Sequence, residues 1–311
     1  MTGPMTATTT ATLQWEIREA LAATPVSRTW RVAVGEQQAV LRRDEPGAGH
    51  LGLNRAAEPG VLGAAWEAGL GPACLSMDSS RGLLLTAWLP GRAWSVADLQ
   101  DTGNLRRAAA LLRRLHATPL PGPVVDLGAA IERYAAAAGG GSADLAAVAR
   151  ADLARAIGAP VGAPSGATLF PLETRGLDSR GKRVAPEGAP TGTAALCFCH
   201  NDLTPGNFID SPEGQLHLID WEYAGLCHPG FDLAGLAVGA DLTGERLMVL
   251  LTAYRGRPPS LAEMDRHRAW EALCRSLGAL WTAALVAAPV APVGAPTGAP
   301  GESHQGVRGD S

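Results

Sequence analysis

The sequence has no large excess of either charge, no long apolar run and few cysteines. Twenty-six Lys and Arg against 30 Asp and Glu leave a formal net charge of −4 over 311 residues, which gives no general attraction to nucleic acid or to acidic membranes. No apolar stretch approaches the roughly 18–20 uncharged residues that a bilayer-spanning helix needs. Met1 to Thr12 is rich in Thr and has neither the basic start nor the apolar stretch of a signal peptide. A cytoplasmic protein without membrane insertion is therefore expected. The cysteines, Cys74, Cys197, Cys199, Cys227 and Cys274, are odd in number and scattered. Cys197 and Cys199 would share a strand face, but no second pair follows at zinc-ligand spacing, so they read as core thiols. Aromatics are scarce too, and the eight tryptophans outnumber the three tyrosines and four phenylalanines together.

Hydrophobic residues at 46% and charged residues at 18% are ordinary for a globular chain. The length suffices for two modest domains or one bilobed unit. Residues 1–12 read as a disordered N-terminus and 13–90 as a small α+β lobe. In that lobe Thr29–Val34 and Gln38–Arg43 flank Gly35-Glu36 as a β-hairpin. Glu58–Leu70 reads as a short helix with Pro59 in its first turn, stopped by Gly69 and Gly71-Pro72. Leu83–Trp88 reads as a buried strand. From 91 to 286 the character is mainly helical. Leu105, Ala108, Leu111, Leu112 and Leu115 recur at helical spacing before Thr118-Pro119, and Ala129–Ile157 is helical apart from Gly139-Gly140-Gly141. Residues 158–193 are dominated by Gly, Ala, Pro and Thr and read as a flexible insert, with 287–311 as a disordered tail. A Val-Ala-Pro-x-Gly-Ala-Pro-Thr-Gly segment stands at 184–192 and again at 290–298, without the fixed period of a solenoid.

The chemistry concentrates after Leu196. In Cys199-His200-Asn201-Asp202-Leu203-Thr204-Pro205-Gly206-Asn207, an Asp precedes an Asn by five positions, the arrangement of a kinase catalytic loop. Phosphoryl transfer needs a base for the acceptor hydroxyl and hard oxygen ligands for Mg²⁺, roles open to Asp202 and Asn207. The bare spacing also fits an Asx-capped turn. Leu216-His217-Leu218-Ile219-Asp220 then forms an apolar strand ending in a carboxylate. A hairpin turning through Ser211-Pro212-Glu213-Gly214 would return Asp220 beside Asn207 as a second metal ligand. A carboxylate there could alternatively cap the next helix.

The run H-N-D-L-x-P-x-N from His200, followed by L-I-D-W-E-Y-A-G and F-D-L-A, resembles the signature of the aminoglycoside phosphotransferase and choline kinase superfamily. It is particularly similar to bacterial choline kinases and thiamine kinases. The resemblance implies a bilobed protein-kinase-like fold of class α+β, with a β-rich small lobe and a larger helical lobe. It implies ATP and Mg²⁺ as cofactors and transfer of the γ-phosphoryl group to a small alcohol. Asp202 would be the catalytic base, Asn207 and Asp220 the metal ligands, His200 a structural support, and Asp232 a residue holding the loop. Arg42 would anchor the phosphates, paired with Glu58 in a pattern that includes Arg55. Ser27 and Thr29 would cover the phosphates, although Ala22–Thr29 has no Gly, where relatives favour small residues. Thr86–Leu89, including Trp88, would offer backbone to the adenine.

For the acceptor, Trp221, Tyr223, Trp270 and Trp281 with Glu222 and Asp232 suit a cation, since aromatic faces and carboxylates both attract one. Choline, ethanolamine and thiamine fit that description. An antibiotic phosphotransferase and a catalytically silent nucleotide- or metabolite-binding module are the alternatives. His116, His217 and His267 have no partner at ligand spacing and read as structural. The oligomeric state is left open.

Overall fold

A computed structural model describes residues 14–45, 51–53, 55–158 and 196–287. The insert expected at 158–193 lies outside these residues apart from Gly158, as does the tail apart from Ala287.

The chain begins with five antiparallel strands. These are β1 (Glu16–Ala23), β2 (Ser27–Val34), β3 (Gln37–Asp44), β4 (Cys74–Asp78) and β5 (Leu83–Ala87), in the spatial order β1-β2-β3-β5-β4. The β2–β3 hairpin turns at Gly35-Glu36 as expected, with Gly35 at φ +60° supplying the left-handed residue. β1 was not legible. Its sequence EIREALAA has no alternation, and all eight residues are exposed, so only edge pairing with β2 makes it a strand. Val32, Ala39, Leu41, Leu83 and Leu85 form a small core on one face of the sheet. Arg42 pairs in register with Thr29 and Leu84, with its side chain on the other face.

That other face meets α1 (Glu58–Glu67). The helix opens with Pro59 in its first turn and ends three residues before the expected Leu70. Leu70 N–H reaches back to the Ala65 carbonyl at 2.8 Å and Gly69 takes φ +65°, the usual left-handed exit.

The large lobe follows a short connection in which β6 (Arg92–Ala93) pairs with β8 (Phe208–Asp210). Gly91, at φ +144°, lies so close to this strand that a Cβ would sit 2.4 Å from the Asp210 carbonyl oxygen. Asp210 also accepts from Trp94 Nε1 at 3.3 Å and from both Nη atoms of Arg107.

Helix α2 (Thr102–Ala117) buries Leu105, Ala108, Leu111, Leu112 and Leu115, the stripe read from the sequence, and Asp101 caps it by accepting from Asn104 N–H at 2.8 Å. α3 (Leu127–Ala138) and α4 (Ala143–Ile157) are separated near the expected Gly139–Gly141 break. Next come β7 (Cys197–Cys199), β8, β9 (Leu216–Leu218), β10 (Gly225–Cys227), α5 (Pro229–Gly239), α6 (Gly244–Arg255) and the 27-residue α7 (Leu261–Ala287). Two apolar clusters fill the lobe, one centred on α2, α5 and α6 and the other on α3, α4 and α7. Among the described residues no helix is long and apolar enough to cross a membrane. The architecture is the α+β, two-lobed arrangement expected.

Candidate active site

The catalytic-loop segment leaves β7 at Cys199 and is fixed at its base by one buried carboxylate. Asp232, in the first turn of α5, accepts from His200 N–H at 2.9 Å, from Asn201 N–H at 2.7 Å and from His116 Nε2 at 2.9 Å. Burial alone would raise its pKa, but the bond and charge of His116 more than offset that and hold it below the usual carboxylate range. For His116, burial pulls the imidazole pKa down and Asp232 outweighs it, leaving it raised. His116 Nδ1 meets the Tyr254 hydroxyl at 2.8 Å. His200, fully buried, donates from Nε2 to the Ile219 carbonyl at 2.9 Å, and burial lowers its pKa. The neutral ring thus ties the loop to the strand leading to Asp220.

Asn201 stands at φ +63°, and its amide donates to the Tyr223 carbonyl at 3.0 Å. Beyond it, Asp202 faces a cavity of about 860 Å³. Asn207 Nδ2 donates to the Asp202 carbonyl at 2.8 Å and to its carboxylate at 3.1 Å. Both bonds use the nitrogen, which turns Oδ1 of Asn207 away from Asp202. Burial and the charge of Glu222 push Asp202 up to about 6, against the Asn207 bond.

The hairpin expected after Asn207 forms, with Phe208 opposite Leu218 and Asp210 opposite Leu216. Ile219 N–H closes on the Asn207 carbonyl at 3.0 Å, which sets Asp220 beside Asn207. Asp220 takes φ +66°, a left-handed conformation that a side chain adopts only when its surroundings impose it. Burial and the negative charge of Asp202 raise its pKa to about 6, against Arg42. Glu222 is raised to about 7, by burial first and then by Asp220, against Arg42 and Arg55.

From the small lobe, Arg42 donates to both oxygens of Glu58 at 2.8 and 2.6 Å and to Asp220 at 3.3 Å. Its guanidinium also lies 3.3 Å from Glu222. The expected Arg42–Glu58 pair is therefore present as a bidentate contact. Arg55 adds to its patterned partner Glu58 two that no local pattern predicts, Asp44 and Glu222. It donates to Asp44 at 2.6 and 2.8 Å, to Glu58 at 3.1 Å and to Glu222 at 2.7 Å, spanning the two lobes.

Several expected contacts fall elsewhere. Trp221 is 1% exposed, donates to the Leu218 carbonyl at 3.1 Å and packs on His200, so it belongs to the core and not to an acceptor site. Trp270, also 1% exposed, stacks on His228 at 4.7 Å on a buried face of α7. Asp232 cannot meet an acceptor either, because its side chain is 0% exposed and its oxygens are taken by three donors. Glu222 lines the cavity, yet its carboxylate is engaged by guanidinium groups. Tyr223 does line the cavity, and its hydroxyl accepts from Trp281 Nε1 at 3.2 Å. Trp281 and Tyr134, from α7 and α3, complete an aromatic wall, and Tyr134 carried no local signal in the sequence.

Ser27 lines the cavity beside Thr24. In the absence of glycine the β1–β2 turn is closed by the Thr24 hydroxyl, which accepts from Ser27 N–H at 3.0 Å and Val26 N–H at 3.3 Å. Thr29, Thr86 and Trp88 are not on the cavity wall. Thr86 is held in the sheet between Val40 and Cys74, and Trp88 carries Arg31 over its ring at 4.6 Å.

The fold also gathers three residues that their spacing kept apart. His116, from α2, has a ring nitrogen within 4.8 Å of the sulfurs of Cys197 and Cys199. Its nitrogens already serve Asp232 and Tyr254, and burial raises the Cys199 thiol well above its usual pKa.

A five-stranded lobe joined to a helical lobe, with this loop and hairpin facing the junction, defines a protein-kinase-like phosphotransferase fold. Residues 23–270 match the phosphotransferase enzyme family, and the chain belongs to it. A choline/ethanolamine kinase family protein from Mesorhizobium loti shares the fold, with a TM-score of 0.61, 23% identity, and coverage of 87% of this chain and 79% of that one. Choline kinase LicA from Streptococcus pneumoniae gives a TM-score of 0.61, 22% identity, and coverage of 86% and 85%. In sequence, protein LicA of Haemophilus influenzae is 45% identical over 56 residues, 18% of this chain, and the match spans only about a fifth of that relative's length (21%).

Proposed function

We propose that the protein transfers the γ-phosphoryl group of ATP to the hydroxyl of a small alcohol that carries a cationic group, the class to which choline, ethanolamine and thiamine belong. The observation that carries this reading is the juxtaposition of Asp202, Asn207 and Asp220, with Asp202 and Asp220 on one cavity and Arg42 of the small lobe bonded to Asp220. Asp202 accepts the proton as the acceptor oxygen forms its bond to phosphorus, and the bond to the ADP oxygen breaks. Its raised pKa makes it a stronger base than an exposed carboxylate. Asn207 Oδ1 and the Asp220 carboxylate would hold Mg²⁺, which neutralises phosphate charge when bound. Donor chemistry supports the fit, since both ligands are hard oxygens and Asp220 lies among crowded carboxylates, with Asp202 and Glu58 raising its pKa and Asp220 raising that of Glu222. Arg42, held by Glu58, would anchor the phosphates, and Ser27, at the start of β2, would offer them a donor.

The acceptor reading rests on Tyr134, Tyr223 and Trp281, whose rings line the cavity near Asp202. The choline and ethanolamine kinases that share the fold agree with it. The test is ADP formation with Mg²⁺ and a panel of choline, ethanolamine, thiamine and an aminoglycoside. Turnover that depends on a cationic alcohol supports the proposal. Turnover with the aminoglycoside alone, or with no acceptor, overturns it.

A further inference from the structure

The acceptor wall contains a group that a purely cationic alcohol does not explain. Arg133, next to Tyr134 on α3, is the only Lys or Arg lining the cavity among the described residues. Its guanidinium is seated on bare backbone. A Cβ at Gly52 would lie 2.1 Å from Nη1 and 2.5 Å from Cζ, and Gly52, at φ +74°, lines the same cavity. Tyr134 and Asp202 line that cavity with it.

Unlike Arg42 and Arg55, Arg133 has no carboxylate partner among the described residues, and the adjacent Glu132 is engaged by Arg150 at 2.7 Å. A fixed positive charge on this wall repels an ammonium group at that end of the pocket. It favours an anion there, and its planar fork matches a carboxylate. Arg42, the proposed phosphate anchor, is bonded to Glu58 and Asp220 and does not line this cavity, whereas Arg133 belongs to the aromatic wall.

We propose that Arg133 binds a carboxylate on the acceptor, so that the preferred substrate is a zwitterionic amino alcohol and not its decarboxylated counterpart. The proposal rests on the kinase reading above. It is tested with the full chain, MgATP and acceptor pairs that differ only by a carboxylate: serine with ethanolamine, and N,N,N-trimethylserine with choline. The carboxylate-bearing member is expected to be preferred about tenfold in kcat/KM, chiefly through KM, as one charge-assisted bond allows. Arg133→Gln should bring that ratio to about one and Arg133→Lys should retain part of it. Arg106→Gln, on the exposed face of α2, should leave the ratio unchanged.

A wild-type ratio at or below one overturns the proposal, as does a ratio unchanged in Arg133→Gln. An effect of Arg133→Gln confined to the KM for ATP also overturns it and assigns the residue to the nucleotide. If no acceptor turns over, the kinase reading fails separately. Tryptophan fluorescence titration with serine and ethanolamine then decides for Arg133: quenching that needs both the carboxylate and Arg133 supports it, and equal responses overturn it.

Discussion

Two aspartates thirty residues apart in sequence occupy the base and the face of the same loop, and their surroundings give them opposite characters. Asp232 is buried with three donors and is held below the usual pKa range. Asp202 is half-buried on the cavity wall with one side-chain donor and is raised to about 6. Burial acts on both in the same direction, so the donors and the neighbouring charges, His116 for Asp232 and Glu222 for Asp202, decide the outcome. A saturated carboxylate is a structural bracket, and an under-supplied one keeps its affinity for a proton.

The sharpest way to break this comparison is Asp202→Ala. Turnover should fall by about 10³-fold, within the range for loss of a general base, with ATP affinity nearly unchanged. Single-turnover rates and equilibrium nucleotide binding check it. Normal turnover in this variant would remove Asp202 from the reaction.

Asp232→Asn should instead act on stability. One oxygen becomes an amide donor facing donors, which should cost about 3 kcal/mol in urea unfolding. An equally stable variant would mean that the bracket is dispensable.

Trp281→Ala and Trp221→Phe extend the contrast to the aromatic residues. Loss of the cavity-lining Trp281 should raise acceptor KM about three- to tenfold, the range of a cation–π contact. Trp221→Phe removes one buried hydrogen bond. It should cost about 1 kcal/mol of stability with acceptor KM unchanged, and a raised KM would return Trp221 to the acceptor site.

The smallest effect is that of pH on the bracket. Because the His116 pKa is raised in the fold, its contribution is complete below the unfolded value of about 6.5. That contribution is lost as pH rises through the folded pKa. His228 works in the other direction: burial holds it near 4, so its share of stability is lost as pH falls from about 6.5 toward 4. Urea midpoints from pH 4 to 9 should therefore pass through a maximum, and the alkaline decline should shrink in His116→Gln.

The candidate site was legible where its geometry is local. Asn207 and Asp220 are thirteen residues apart with a turn between them, so a hairpin alone brings them together. The Leu stripe of α2 was legible because helical spacing fixes its face. Arg55 was only half legible. Its contact with Glu58 spans three residues, whereas its contact with Glu222 spans 167 and exists only after the lobes assemble. Trp221 and Trp270 misled because a tryptophan beside acidic residues in sequence need not share their face. Tyr134 and Arg133 gave no signal, since the packing of α3 decides which of its residues turn toward the cavity. β1 was missed because it is ordered from outside, by its neighbour β2.

The pairing of β6 with β8 has a mechanical consequence. The connection between the lobes is fastened at its far end to the strand that follows Asn207, with Asp210 held by Trp94 and Arg107. The fulcrum for any movement of the small lobe therefore lies upstream of Arg92, around residues 88–91. The Asn207–Asp220 pair stays fixed to the large lobe, while Arg42 travels with the small one. The 3.3 Å contact between Arg42 and Asp220 thus joins groups on opposite sides of that fulcrum.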